Sequence, residues 1–117
     1  MINRPVDNER MRRWTDPVLN DPRIRRDVTK YATTSFDSAE LIRKTEALRD
    51  FDGGEVLVLW SPDNKVMPPA HGPRLAELTP RGRYAEIPGA AVLSMLDEPA
   101  AVAREIGGFL TAAASRG

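Results

Sequence analysis

Acyl transfer draws on a hydroxyl, an imidazole and a carboxylate, and the candidates near the strand-like stretches of this sequence are Ser61, Ser94, His71 and Asp63. A serine attacks only when a base takes its proton, and the base is effective when a carboxylate holds its tautomer. Neither serine has a base beside it in sequence. His71, the sole histidine, lies in Pro69-Ala70-His71-Gly72-Pro73 near a helix start, where a lone imidazole ordinarily faces solvent. Asp63 can serve as an acid, but Ser61-Pro62-Asp63-Asn64 is also turn chemistry, with short polar side chains that bond their own backbone.

Other chemistries find less to use. One histidine, no cysteine and scattered carboxylates offer no metal-ligand spacing, and no cofactor motif is present. Gly53-Gly54 opens no helix directly, so it is not a phosphate loop. Arg10, Arg12 and Arg13 beside Trp14, with Arg23, Arg25 and Arg26, have the residue types of a phosphate-binding face. Asp7, Glu9, Asp16, Asp21 and Asp27 are interleaved with them, so the segment reads as a solvated helical surface. The whole chain balances 17 acidic against 17 basic residues, and no net field points to nucleic acid or to a membrane. No apolar run approaches the roughly 20 residues of a membrane helix, and Met1-Ile2-Asn3-Arg4-Pro5 lacks the apolar core of a signal peptide. A cytoplasmic protein is expected.

The elements that must position these groups follow from patterning. Pro5 is expected to open a helix that Asp16-Pro17 stops. Asp21-Pro22 starts a second, with Ile24, Val28 and Tyr31 as its buried stripe. Asp37 starts a third, with Glu40 in capping-box spacing and Leu41, Thr45 and Leu48 on the buried side. After Gly53-Gly54, residues 55–60 (Glu-Val-Leu-Val-Leu-Trp) hold five consecutive apolar residues, the pattern of a parallel strand covered on both faces. A helix over about 70–79 follows, with Pro73 tolerated in its first turn, and then a second strand over 83–87. Residues 88–95 read as irregular. Asp97-Glu98-Pro99 is expected to begin the last helix with its acids at the positive end, and Val102, Ile106, Phe109, Leu110 and Ala113 form its apolar stripe.

Several of these stretches resemble the carboxyl-terminal part of the α/β-hydrolase family. The likeness runs through Phe51-Asp52-Gly53-Gly54 and the strand to Trp60, then through Lys65-Val66-Met67-Pro68-Pro69 and Ala70-His71-Gly72-Pro73-Arg74-Leu75-Ala76-Glu77-Leu78. It continues in Ile87-Pro88-Gly89-Ala90 and Leu93-Ser94-Met95-Leu96-Asp97-Glu98-Pro99, so that it spans residues from about 40 to 113. The resemblance implies that the loop after the first strand carries a triad acid and the loop after the second carries a triad histidine. The serine would belong to a Gly-x-Ser-x-Gly elbow much earlier in the fold. No such elbow occurs in these residues. Gapless matching puts Asn64 at the acid position, with Asp63 just before it, and Val92 at the histidine position. Valine relays no proton.

The expected fold is therefore α/β, a partial α/β-hydrolase fold. Residues 1–50 form a helical segment corresponding to the end of a cap region, and residues 51–117 a β-α-β-α unit with two parallel strands. The implied family activity is ester or acyl hydrolysis, with this chain inactive by itself. The alternative is a hydrolase remnant that acts as a structural or dimerising module. Either way, a homo-oligomer or a companion chain is expected to complete the sheet, because an apolar parallel strand leaves its edge open to pairing.

Overall fold

The structure, a computed structural model, describes residues 2–35 and 37–116. It divides into two compact units, Pro5–Ile42 and Met1–Arg4 with Arg43–Gly117.

In the first unit, α1 spans Asn8–Asn20 and α2 spans Pro22–Thr33. Asp7, not Pro5, caps α1, its side chain accepting from the Arg10 N–H at 2.8 Å. The helix also runs through Pro17 instead of stopping there. Proline has a helical φ, and the one bond it forfeits leaves an Arg13 carbonyl on an exposed helix, where water replaces the lost donor. Asp21 and Pro22 start α2 as expected, with the Asp21 side chain accepting from Arg23 N–H. Asp37 likewise accepts from the N–H groups of Ala39 and Glu40 at 2.9 and 3.2 Å, at the start of α3 (Ser38–Glu46). The stripe of Ile24, Val28 and Tyr31 is not buried, and neither is Leu41. Two helices joined through Asp21 alone present too little facing surface to cover both apolar edges.

The second unit contains the sheet. A 3-10 turn (Ala47–Asp50) leads to β1 (Val56–Trp60), then α4 (His71–Leu78), β2 (Gly82–Glu86), a short α5 (Ser94–Asp97) and α6 (Pro99–Arg116). Strands β1 and β2 pair in parallel from Val56↔Gly82 to Trp60↔Glu86, as the patterning predicts, and make a mixed α/β unit with a two-stranded sheet. Side chains alternate along a strand, so Val56, Val58, Trp60, Gly82, Tyr84 and Glu86 share one face. Helix α4 lies on it. A Cβ at Gly72 would come within 2.6 Å of the Trp60 ring and 2.8 Å of Tyr84, and one at Gly82 would collide with the Ala76 carbonyl. Those glycines set how closely helix and sheet approach. Helix α6 packs against β1, where Arg116 reaches Glu55 at 2.9 Å.

Among the described residues the buried apolar core is small: Ala76, Ile87, Ala90 and Ala91. None of the five β1 residues is fully buried, and Ile106 and Leu110 of the α6 stripe are exposed. The expected two-sided cover of β1 is therefore incomplete. The short α5 starts at Ser94, inside the stretch through Met95 that was expected to be irregular, and Asp97 closes that helix instead of opening α6. Among the described residues no helix is long and apolar enough to cross a membrane.

Candidate functional site

The loops leaving β1 and β2 emerge side by side at the carboxyl ends of two parallel strands, where open α/β sheets hold ligands. In the β1 loop, the Asn64 N–H donates to the Ser61 carbonyl at 3.0 Å, closing a turn. The Asn64 side-chain oxygen accepts from the N–H groups of Val66 and Met67 at 2.8 and 3.0 Å. Asn64, at the acid position of the family resemblance, is thus spent on folding its own loop. Asp63 is free of that task and stands exposed at the tip.

Asn3 joins the two loops. Its side-chain amide donates to Asp63 Oδ2 at 2.9 Å and to the Gly89 carbonyl, in the β2 loop, at 3.0 Å. Gly89 has a positive φ of 79°, a conformation that favours glycine, and this turn sets the direction in which the chain continues toward Val92. Val92 is half-buried and offers no polar atom beyond its backbone.

Beneath Asn3 lies Asp97, fully buried. One carboxylate oxygen accepts from the N–H groups of Asn3 and Arg4, each at 2.8 Å, and the other accepts from Ala91 N–H at 2.9 Å. Burial pushes the Asp97 carboxyl up, but the Ala91, Asn3 and Arg4 N–H bonds and the Arg4 charge together outweigh it and hold the group below its ordinary value. Arg4 also pairs with Glu98 at 2.7 Å. The segment Ile2–Arg4 is therefore clamped along the β2 loop, with Asp97 as the clamp.

The remaining candidates do not converge. His71 is the exposed first residue of α4, and among the described residues no hydrogen bond or ion pair joins it to Asp63. Ser61 is buried just after β1 and Ser94 starts α5, and among the described residues no hydrogen bond joins either side chain to a base. Tyr84 donates to Glu86 at 2.7 Å; its phenol, pushed up to about 12 by burial and then by that carboxylate, stays neutral near pH 7. Trp60 keeps a buried indole N–H with no acceptor among the described residues. Among the described residues no three His, Cys, Asp or Glu side chains gather at metal-binding spacing.

Sequence reasoning missed Asn3 and Asp97. Asp97 reads as an acid at the start of the last helix, and its burial depends on backbone N–H groups some 90 residues away. Asn3 lies in a segment without periodicity, so no local signal marks it. Comparison with protein-family models, with curated proteins and with solved structures finds no match to this chain.

Proposed function

We propose that this chain is the carboxyl-terminal part of an α/β-hydrolase fold and that, by itself, it does not hydrolyse esters by a triad mechanism. The observation that supports the reading is the Asn3 amide, which contacts both Asp63 on the β1 loop and Gly89 on the β2 loop. The loops to which the resemblance assigns acid and histidine thus adjoin at the same end of the sheet. At this end a triad needs an imidazole that donates to the acid and accepts from a serine. Here an amide donates to Asp63 instead. An amide side chain does not shuttle a proton near neutral pH, and Val92 does not replace it.

Loss of one triad member typically costs about four to six orders of magnitude in rate, and the members act as a unit, so restoring one alone recovers nothing. Turnover of a p-nitrophenyl ester tests this, with the chain compared against its Asp63→Ala and His71→Ala variants. Slow, unsaturable release common to all three agrees with the proposal. Saturable turnover abolished by either substitution overturns it and makes Asp63 and His71 a working pair.

A second reading is favoured by a different observation: none of the β1 residues is fully buried, and the strand has one neighbour. In that reading the chain is a protein-association module derived from a hydrolase. Sedimentation velocity over a concentration series separates an associating chain from a monomer.

A further inference from the structure

We propose that the free edge of β1 is the interface with a second copy of this chain, joined antiparallel about a twofold axis through Val58. The inference rests on the association reading above and names its partner.

In a parallel pair each residue of a strand turns both its N–H and its C=O toward one side, and successive residues alternate. Val56 N–H donates to the Arg81 carbonyl at 3.1 Å, and the Trp60 carbonyl accepts from Ile87 N–H at 2.9 Å. Val56, Val58 and Trp60 therefore spend their backbone groups on β2, and Leu57 and Leu59 turn theirs to the open side. Two donors and two acceptors, one residue apart, are what an antiparallel copy matches. With the axis at Val58, Leu57 of one copy stands opposite Leu59 of the other, and the pair exchanges both bonds. The symmetric pair on the other side of the axis does the same, which gives four N–H···O bonds.

The side chains fit the same register. Leu57 and Leu59 from both copies fall on one face, and Val58 meets Val58 on the other, flanked by Val56 and Trp60. No charge lies in Val56–Trp60. The outer strand β2 carries Arg83 and Glu86, charges of the kind that keep a sheet edge from pairing, so the two edges differ. A slip by one residue would oppose the leucines to residues whose backbone groups are spent on β2, and a slip by two would keep one leucine pair within Val56–Trp60 instead of two.

None of the five β1 residues is fully buried, so the strand still has area to bury against a partner. Exposed Ile106 and Leu110 on α6, the helix packed against β1, add apolar area to the same unit.

The absence of native cysteine gives a clean test. In the proposed dimer the Val58 pair is of the non-hydrogen-bonded kind, with Cα atoms about 4.5 Å apart, inside the range a disulfide spans. The Val58→Cys variant, oxidised at micromolar concentration, is expected to give a covalent dimer. Leu57→Cys, whose opposite residue is Leu59, is expected to give at least tenfold less. Equal crosslinking of the two variants, or none with Val58→Cys in a chain that still sediments as a dimer, overturns the interface. A monomeric wild-type chain overturns the proposal outright. Leu59→Pro provides a second readout, because it removes an N–H from the open edge and none from the β1–β2 ladder. It is expected to shift the chain to monomer while its circular dichroism stays unchanged. A dimer that persists in this variant counts against the edge. Recovery of the chain only in a heteromeric complex also counts against it, and points to a companion polypeptide. None of these outcomes depends on ester turnover, so the interface and the hydrolase reading fail separately.

Discussion

Asp97 is the residue on which the candidate site depends most. A buried carboxylate is tolerated where hydrogen bonds replace its water, and three backbone N–H groups do so here. Its position means that the amino-terminal segment Ile2–Arg4, the β2 loop and the end of α5 share one anchor. The Asp97→Asn variant leaves at least one N–H facing an amide NH2 and is expected to melt roughly 10 °C lower. The pH dependence has a definite sign. The folded group titrates below its ordinary value, so its contribution is complete above the usual carboxylate range and is lost as pH falls through the lower, folded value. Thermal melts from pH 7 downward are expected to show this acid-side loss in the wild type and a flatter profile below pH 4 in Asp97→Asn. Identical acid limbs would show that Asp97 is not the group responsible.

At the scale of elements, the glycines divide into two kinds. Gly82 and Gly72 are places where α4 approaches the sheet so closely that a methyl group meets the Ala76 carbonyl in one case and the Trp60 and Tyr84 rings in the other. Gly107 and Gly108 sit inside α6 with nothing within 4 Å of an added Cβ. The same substitution therefore has opposite signs. Gly82→Ala meets backbone, which cannot turn aside, and is expected to destabilise by about 1–3 kcal/mol or more. Gly107→Ala is expected to stabilise by up to about 1 kcal/mol, the helix-propensity difference. Denaturant unfolding of the two variants under one condition checks both, and a destabilised Gly107→Ala would mean that α6 is covered at that point.

The whole molecule is short of interior. Among the described residues the fully buried side chains of any size are Ile87 and Asp97, one apolar and one charged, and the other buried apolar residues are three alanines. A single core of that size supplies little stability against the entropy of ordering the chain. If a second copy covers β1, stability and association are one equilibrium. The melting temperature is then expected to rise by several degrees for each hundredfold increase in concentration. A melting temperature independent of concentration between about 1 and 100 μM would argue for a self-sufficient monomer.

Local pattern determined strand β1, the crossover helix and the caps at Asp21 and Asp37, and the parallel pairing is read from the strand–helix–strand order together with the family resemblance. Each of the local features rests on residues within a few positions of one another: five apolar residues after Gly53-Gly54, or an acid ahead of the N–H groups it accepts from. Pattern went wrong where the outcome depends on what lies opposite. The stripes on α2 and α3 satisfy helical periodicity, yet Ile24, Val28, Tyr31 and Leu41 stay exposed, because periodicity specifies a face and not its cover. Pro17 breaks a local rule at a site where water tolerates the loss. Asp63 and Asn64 were both visible as turn residues, but only the folded chain assigns Asn64 to the backbone of its loop and Asp63 to the Asn3 amide. Asp97 is the clearest case. Whether an acid is a solvated helix cap or a buried anchor is decided by which N–H groups arrive from distant chain, and that is a property of tertiary structure.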